Sequence, residues 1–234
     1  APSVLLLYVQ SNGEYVAQGS GFLIDGNKVV TNAHVASGGT VFVELGPARI
    51  PTSLEKIDSL NDLAILSVNV EITSKPLELA DKKPSPGDLI FALTNPEGLE
   101  RTISQGVVSA DRELAGRTLL QISTPISHGS SGGPIFNRNG QVIGVAVGML
   151  SDGQNLNFAV PVGLLKELLS RSSTGAPDWE SLTQQIASLQ TEQAEEKYSE
   201  SPDSSYQQKQ NEIESLLNKG AMAASNNPEY LLQI

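Results

Sequence analysis

A serine set among glycines is the segment of this chain best suited to chemistry. It reads GSSGGP at residues 129–134, and it follows TNAH at residues 31–34 and DLAIL at residues 62–66. The order His, Asp, Ser along the chain is that of a general base, an orienting acid and a nucleophile. Glycines permit a tight turn that exposes a hydroxyl and points backbone N–H groups at one place. We therefore predict acyl chemistry at Ser131, with the N–H groups of Gly129 and Ser131 forming an oxyanion hole. A flexible glycine loop is the alternative.

His34 is the predicted general base, because a serine hydroxyl needs a base to become a nucleophile. The chain has only two histidines, and His128 lies three residues before Ser131, too close to face its hydroxyl from an opposite wall. Asp62 directly precedes an apolar run and is predicted to orient His34. Asp58 is the competitor for that role. If Asp58 does not orient His34, we expect it to be a solvated carboxylate in a polar turn.

Short β-like runs separated by turn residues must position these motifs, and they fill residues 1–160. Six predicted strands precede a polar, proline-bearing stretch at residues 72–87, and six follow it. The predicted strands are 4–10, 15–24, 28–31, 40–45, 50–57 and 63–68, then 89–93, 101–110, 118–123, 134–137, 142–148 and 156–160. We predict a mainly β fold with two six-stranded antiparallel β-barrels, over about residues 1–72 and 87–161. One large sandwich is the alternative.

Leucines at helical spacing predict a helix at residues 162–171 that closes the barrels. Residues 172–177, rich in serine and ending in proline, are a predicted linker. Beyond the linker, apolar stripes among Gln, Glu and Ser predict a helical C-terminal extension that completes residues 172–234. This extension either packs on the barrels or pairs with another chain, or it is a truncated helical repeat.

Composition excludes several classes of function. The 234 residues contain no cysteine, which excludes disulfides, a thiol nucleophile and cysteine–zinc sites, and we predict neither a cofactor nor a metal. The net charge of -11 argues against a nucleic-acid partner, which needs a basic surface. No apolar run approaches the roughly 18 residues of a membrane span, and no signal peptide is visible at Ala1.

Five segments of the chain resemble the HtrA/Deg trypsin-like serine proteases. They are GSGFLI at residues 19–24, TNAHV at 31–35, DLAIL at 62–66, GSSGGP at 129–134 and FAVP at 158–161. The resemblance covers residues 3–171 and implies a chymotrypsin-like double barrel with the active site in the cleft between the barrels. It also implies an endopeptidase acting on unfolded or damaged polypeptides in a periplasmic or secreted location. A protease-fold binding scaffold without catalysis is the alternative function.

Some features of the chain differ from proteases of this kind. HtrA/Deg members usually carry a PDZ domain after the protease domain, whereas residues beyond Arg171 are patterned as helix. A homo-oligomer and a tail-mediated partner are both compatible with that pattern. Ser130 stands where trypsinogen-like enzymes have an Asp that pairs with a new N-terminus, so we expect no activation by N-terminal trimming. An α/β-hydrolase esterase is disfavoured, because its chain order would be Ser, Asp, His.

Alignment with the family indicates which residues line the pocket for the substrate side chain before the cleaved bond. They are Pro125, Ile126, Ser127 and His128, then Ala146, Val147 and Gly148, and finally Leu156. None is acidic, so a Lys or Arg side chain would enter without a counter-charge, at a high cost in free energy. We expect small or medium aliphatic side chains there, with Leu156 limiting their size.

Overall fold

Twelve β-strands and two helices make up the part of the chain that this computed structural model describes, which is residues 3–95, 102–114, 116–149 and 157–171. The strands form two closed six-stranded antiparallel barrels. All described residues belong to the first of two compact units, Ala1–Ser173, and the second unit is Thr174–Ile234. Neither helix in the described ranges is long and apolar enough to cross a membrane.

The first barrel brings the segments after its third strand and before its sixth to the same end. Its strands are β1 (Val4–Ser11), β2 (Glu14–Asp25), β3 (Lys28–Thr31), β4 (Thr40–Leu45), β5 (Ala48–Asp58) and β6 (Leu63–Val68), closed in the order β1-β2-β3-β6-β5-β4. The β1–β2 hairpin turns at Asn12 and Gly13, whose φ angles of 51° and 84° suit the type I′ turn that fits strand twist. β3 and β6 are antiparallel neighbours, with Thr31 opposite Ala64. Residues just beyond Thr31 therefore lie close to residues just before β6.

The second barrel carries the glycine-rich segment between two of its strands. Its strands are β7 (Leu89–Thr94), β8 (Thr102–Leu114), β9 (Arg117–Ile122), β10 (Pro134–Phe136), β11 (Val142–Met149) and β12 (Asn157–Pro161), closed in the order β10-β11-β12-β9-β8-β7. Its interior is aliphatic and includes Ile90, Leu120, Ile122, Ile135 and Ile143. Residues 123–133 connect β9 to β10, so this packed barrel supports both ends of the serine turn.

A shared apolar cluster joins the two barrels to the last described helix, α2 (Val162–Ser170). It contains Phe22 and Ile65 from the first barrel, Val145 and Phe158 from the second, and Leu165 and Leu168 from the helix. Burial of such side chains is the main favourable contribution to folding. Lys56 of β5 also donates to the carbonyls of Leu169, at 2.7 Å, and Arg171. The helix therefore closes the barrels, as predicted.

The predicted double barrel is confirmed, and the single sandwich is wrong. The other strand bounds agree with the prediction to within two residues, and two differences are larger. β8 continues to Leu114, beyond the predicted end at residue 110. The segment after β3 forms a one-turn helix, α1 (Ala33–Ala36), which is too short to leave a periodic pattern in the sequence. The proposed domain boundaries stay predictions, and the predicted C-terminal extension lies outside the described residues.

Candidate active site

His34 and Asp62 meet at the end of the first barrel where β3 and β6 lie side by side. His34 is on α1, and Asp62 immediately precedes β6. Nδ1 of His34 lies 2.9 Å from Oδ2 and 3.0 Å from Oδ1 of Asp62. The backbone N–H of His34 also donates to Oδ1, at 2.9 Å. Because a carboxylate accepts hydrogen bonds, it favours the tautomer with the proton on Nδ1 and leaves Nε2 as the basic atom.

Asp62 is held through its backbone as well as through its side chain. Its φ of 56° is left-handed, a conformation that Asp tolerates better than most residues. Nδ2 of the buried Asn32 donates to the Asp62 carbonyl at 2.8 Å. Asp62 is 7% exposed, whereas the His34 side chain is 52% exposed. The pair therefore combines a buried acid with an accessible base.

Asp58 is engaged by partners other than His34. Its side chain accepts from the N–H and from Nδ2 of Asn61, both at 3.0 Å, and lies 2.9 Å from Nη2 of Arg171. The expectation of a solvated turn carboxylate is wrong, because Asp58 is 7% exposed. Burial opposes its ionisation, but the hydrogen bonds from Asn61 and the charge of Arg171 outweigh burial, so the pKa of Asp58 is lowered.

Replacing Asp58 by asparagine is expected to destabilise the protein in a pH-dependent way. Because the pKa of Asp58 is lower in the folded protein, its ionised form stabilises the fold above about pH 4, and this contribution is lost as the pH falls through the folded value. We expect Asp58→Asn to lower the free energy of unfolding by about 1–3 kcal/mol at neutral pH. Urea unfolding of both proteins across the acidic range measures the difference.

The exposed pair of Asp81 and Lys166, 2.7 Å apart, supplies the control for this prediction. Asp81→Asn removes a carboxylate from an ion pair at the surface, where such pairs contribute little. It should leave the unfolding free energy close to that of the parent. A loss in Asp58→Asn that does not shrink on acidification would contradict the assigned role of the Asp58 charge.

The turn before Ser131 has a geometry that its glycine allows. It spans residues 127–130 and is closed by the Ser130 N–H, which donates to the Ser127 carbonyl at 2.9 Å. Gly129, at its third position, has a φ of 85°, as a type II turn requires. Within the described part of the chain, the N–H groups of Gly129 and Ser131 donate to no protein acceptor. Both predicted oxyanion donors are therefore free to bind a ligand.

Ser20 of the first barrel fixes this turn from the opposite side. Its N–H donates to the Ser131 carbonyl and its hydroxyl to the Gly129 carbonyl, both at 2.8 Å. The same hydroxyl accepts from the N–H of Asn95 at 2.9 Å. Gly132 has a φ of +85°, and a Cβ there would lie 2.1 Å from the Ser20 carbonyl oxygen. Only glycine therefore fits after Ser131, and both barrels hold the turn.

Ser130 is fully buried, and its hydroxyl is engaged inside the turn. Its Oγ lies 3.1 Å from Oγ1 of Thr94 and accepts from the N–H of Ser127 at 3.2 Å. By contrast, Ser131 is half-buried, and its hydroxyl has no hydrogen bond to the described residues. Of these two adjacent serines, Ser131 is the one whose hydroxyl is free to react.

The base and the serine turn face one cleft of ≈ 510 Å³. It is lined by His34, His128, Gly129 and Ser131, together with Val9, Ala17, Gln18, Val35 and Gly38. No hydrogen bond joins Ser131 Oγ to His34 Nε2 in the described ranges, and such bonds are often long in enzymes without substrate. The arrangement can hold a carbonyl group between a hydroxyl, a base and two N–H donors.

The residues predicted to line the specificity pocket differ in their burial. Ile126 and Ala146 are buried in the aliphatic interior of the second barrel. Pro125 and His128 are exposed, whereas Ser127 and Val147 are half-buried. Gly148 lies on β11, and Leu156 lies outside the described residues. His128 is the one member of this described set that reaches the cleft shared with His34.

Ala146 ties the predicted pocket to the serine turn. Its carbonyl accepts from the N–H of Gly132, and its N–H donates to the Gly133 carbonyl, both at 2.9 Å. These bonds fix β11 beside the turn, because backbone groups that are hydrogen-bonded in a packed interior can move little. The β11 part of the predicted pocket is therefore held against the serine turn.

Sequence reasoning missed three residues that support the site: Ser20, Asn32 and Thr94. Each is a polar side chain in or beside an apolar β run, and each is at most 3% exposed. A buried polar group needs a hydrogen-bond partner, which is the signal the sequence offers. The partners lie far along the chain, however: Asn32 and Asp62 are 30 residues apart, and Ser20 and Gly129 are 109 apart. The sequence therefore indicates a partner without identifying it.

Two closed β-barrels, with a serine turn facing a His–Asp pair, are the architecture of a trypsin-like serine protease. The chain belongs to the trypsin-like peptidase domain family, whose match covers residues 19–145. A protein of Rhizobium meliloti named as a probable periplasmic serine endoprotease, DegP-like, is 35% identical over 164 residues, which are 65% of this chain and 32% of that protein. The predicted resemblance to the HtrA/Deg proteases is confirmed.

Solved structures of proteases share the fold. The active form of the Rv3671c protease from M. tuberculosis matches with a TM-score of 0.67 and 28% identity, covering 74% of this chain and 82% of that chain. The serine endoprotease from Yersinia pestis matches with a TM-score of 0.64 and 28% identity, covering 72% of this chain and 62% of that chain. The chain spans about a third of the length of its DegP-like relative, at 32%.

Proposed function

We propose that this chain is a serine endopeptidase that hydrolyses peptide bonds of protein substrates. The observation that carries the proposal is the cleft in which an accessible His34, paired with the buried Asp62, faces the free hydroxyl of Ser131. Few reactions need a serine, a base and two unpaired N–H donors around one space. Acyl transfer from an amide is the reaction that uses all of them.

Each side chain has a defined role in the proposed mechanism. His34 Nε2 takes the proton from Ser131 Oγ as the oxygen attacks the substrate carbonyl carbon, and the carbonyl oxygen becomes an oxyanion. The N–H groups of Gly129 and Ser131 bind that oxyanion. His34 then gives its proton to the leaving amine, and water repeats the sequence to release the acyl group. Asp62 keeps the proton on Nδ1 and stabilises the imidazolium that forms.

We propose unfolded or damaged polypeptides as substrates, and a compartment outside the cytoplasm as the location. The DegP-like relative is named as a periplasmic serine endoprotease, which supports the location and a polypeptide as the substrate. The side chain before the cleaved bond would bind near Ile126 and Val147, where the described pocket residues carry no carboxylate. An extended substrate would pair its backbone with Val147 and Gly148 at the end of β11, as an added strand.

Mapping the cleavage sites in a denatured protein by mass spectrometry tests this function and its specificity together. Burial of an aliphatic group contributes about 1–3 kcal/mol, so cleavage after Val, Ala, Ile or Leu should be favoured by roughly tenfold to a hundredfold over cleavage after Lys or Arg. The same protein in its folded state is the control and should be cut far more slowly. Cuts concentrated after Lys and Arg would contradict the pocket assignment.

A protein-binding scaffold without catalysis is the second candidate. The observation that favours it is the lack of a hydrogen bond between Ser131 Oγ and His34 Nε2 in the described residues. The scaffold would bind denatured protein and leave it intact, so the same digestion experiment separates the two functions.

A further inference from the structure

Arg117 of the second barrel lies next to the acid of the candidate triad. It is the first residue of β9, and its Nη2 is 3.9 Å from Oδ2 of Asp62. Its Nε and Nη2 are buried and have no hydrogen-bond partner among the described residues. The Arg117 side chain is 27% exposed, so most of the cation is enclosed by protein. A distance of 3.9 Å is too long for a hydrogen bond, and the contact is therefore one of charge with charge.

The two carboxylate oxygens of Asp62 have different hydrogen-bond partners. Oδ1 accepts the backbone N–H of His34 at 2.9 Å and lies 3.0 Å from its ring Nδ1. Oδ2 lies 2.9 Å from the same Nδ1. In the described part of the chain, no hydroxyl or second N–H group donates to Oδ2, and Nη2 of Arg117 lies 3.9 Å from it. The Arg117 guanidinium is thus the available counter-charge at this oxygen.

The need for such a counter-charge follows from the state that His34 must adopt as a base. A base must be neutral before it accepts a proton. In that state the His34 imidazole carries no positive charge to pair with the Asp62 carboxylate. A buried carboxylate lacking a positive partner is unfavourable. The other ion pair nearby does not supply one, because Arg171 is committed to Asp58 at 2.9 Å.

We propose that Arg117 is a positioning residue for Asp62, and that its positive charge holds the carboxylate aligned on Nδ1 of His34. The proposal rests on the proposed function. Arg117 lies on a strand of the second barrel, whereas Asp62 belongs to the first. The contact therefore couples the alignment of the triad to the packing of the two barrels. Arg117 is not among the residues that line the cleft, so its effect would reach the reaction through Asp62 and His34.

Three variants of the full chain test the charge of Arg117. Arg117→Met removes the charge and keeps an unbranched side chain, Arg117→Lys keeps the charge, and Arg112→Gln is the matched control. Arg112 lies on the adjacent strand β8, where its Nε donates to Gln121 at 2.8 Å. Peptide cleavage and the proton NMR signal of the His34 Nδ1–H group are measured in each protein.

We expect Arg117→Met to lower kcat by about three- to tenfold with little change in KM, because the substrate contacts are intact. The Nδ1–H signal should broaden or move, since it reports the bond to Asp62. Arg117→Lys should restore most of both readouts, and Arg112→Gln should match the parent. The paired kcat and NMR changes separate a role at Asp62 from a general loss of structure.

Several outcomes would overturn the proposal. Parent-like kcat and an unmoved Nδ1–H signal in Arg117→Met would show that the cation does not act on Asp62. A rise in kcat would mean that Arg117 competes with His34 for the carboxylate, and equal defects in the Lys and Met variants would exclude charge as the cause. If Arg117→Met does not fold, Arg117→Gln replaces it. If the parent cleaves nothing, the proposed function fails, but the NMR comparison still tests the contact.

Discussion

Replacing Ser131 by alanine is expected to abolish turnover, by about a millionfold, while leaving the fold intact. The size of the effect follows from the covalent step, which has no substitute once the hydroxyl is gone. Stability should be nearly unchanged, because the Ser131 hydroxyl makes no hydrogen bond to the described residues. The backbone bond from Ser20 to the Ser131 carbonyl, at 2.8 Å, does not depend on the side chain.

Labelling with a fluorophosphonate, followed by mapping of the modified residue, measures this prediction directly. The parent should be modified at Ser131, and the Ser131→Ala protein should not be modified at all. Ser67→Ala is the matched control, because among the described residues the hydroxyl of Ser67 on β6 bonds only to the Ser53 carbonyl, at 3.4 Å. Digestion of casein by Ser131→Ala at the parent rate would remove Ser131 from the mechanism.

Ser130 provides a sharper comparison within the same turn. Its hydroxyl is buried and contacts Thr94 and the N–H of Ser127, so Ser130→Ala should loosen the turn without removing the nucleophile. Labelling of that variant should be slower and still occur at Ser131. We therefore expect the two adjacent serines to have separable roles, one reactive and one structural, although the sequence GSSGG does not tell them apart.

The double barrel could be predicted because its signals are local. Each strand is an apolar run ended by turn residues, and the hairpin at Asn12 and Gly13 has its own signature. The helix α1 could not be predicted in this way, because four residues are too few for a helical period. Yet α1 matters to the site, since it carries His34, which lies beside Asp62 beyond the end of β3.

The candidate reacting residues could be proposed from short motifs, whereas the residues that support them could not. His34, Asp62 and Ser131 stand in motifs whose order carries information about roles. Asn95 and Arg117 stand in no such motif. Asn95 donates to Ser20, 75 residues away along the chain, and Arg117 faces Asp62 only because the barrels pack together. Contacts of this kind are set by tertiary structure, so no local pattern reveals them.

Asp58 shows that local sequence also fails to predict burial. Its polar neighbours in the sequence indicated exposure, but Arg171, from the end of the closing helix, covers it and forms an ion pair at 2.9 Å. A turn that is polar in sequence became buried because a distant segment packed over it. Local polarity therefore predicts a turn well, and predicts its exposure poorly.

Replacing His34 by alanine is expected to be as damaging as losing Ser131, roughly a millionfold in turnover. Without the ring, no base in the cleft can take the Ser131 proton, because His128 lies in the turn just before the nucleophile and has no carboxylate partner among the described residues. His128→Ala is the matched control, since it removes the chain's other imidazole from the same cleft. We expect it to change the rate by no more than a few-fold.

The double variant of His34 and Ser131 completes the test. When two residues act as one unit, removing both lowers the rate little more than removing either one. Once Ser131 is absent, His34 has no hydroxyl to deprotonate, so removing it as well should cost almost nothing further. Single-turnover cleavage of an activated peptide ester gives the sensitivity needed for such slow proteins. If the two losses multiplied, His34 and Ser131 would act independently and not as base and nucleophile. If His128→Ala were the severe variant and His34→Ala the mild one, the base would lie on the turn, and the 2.9 Å contact between His34 and Asp62 would serve structure alone.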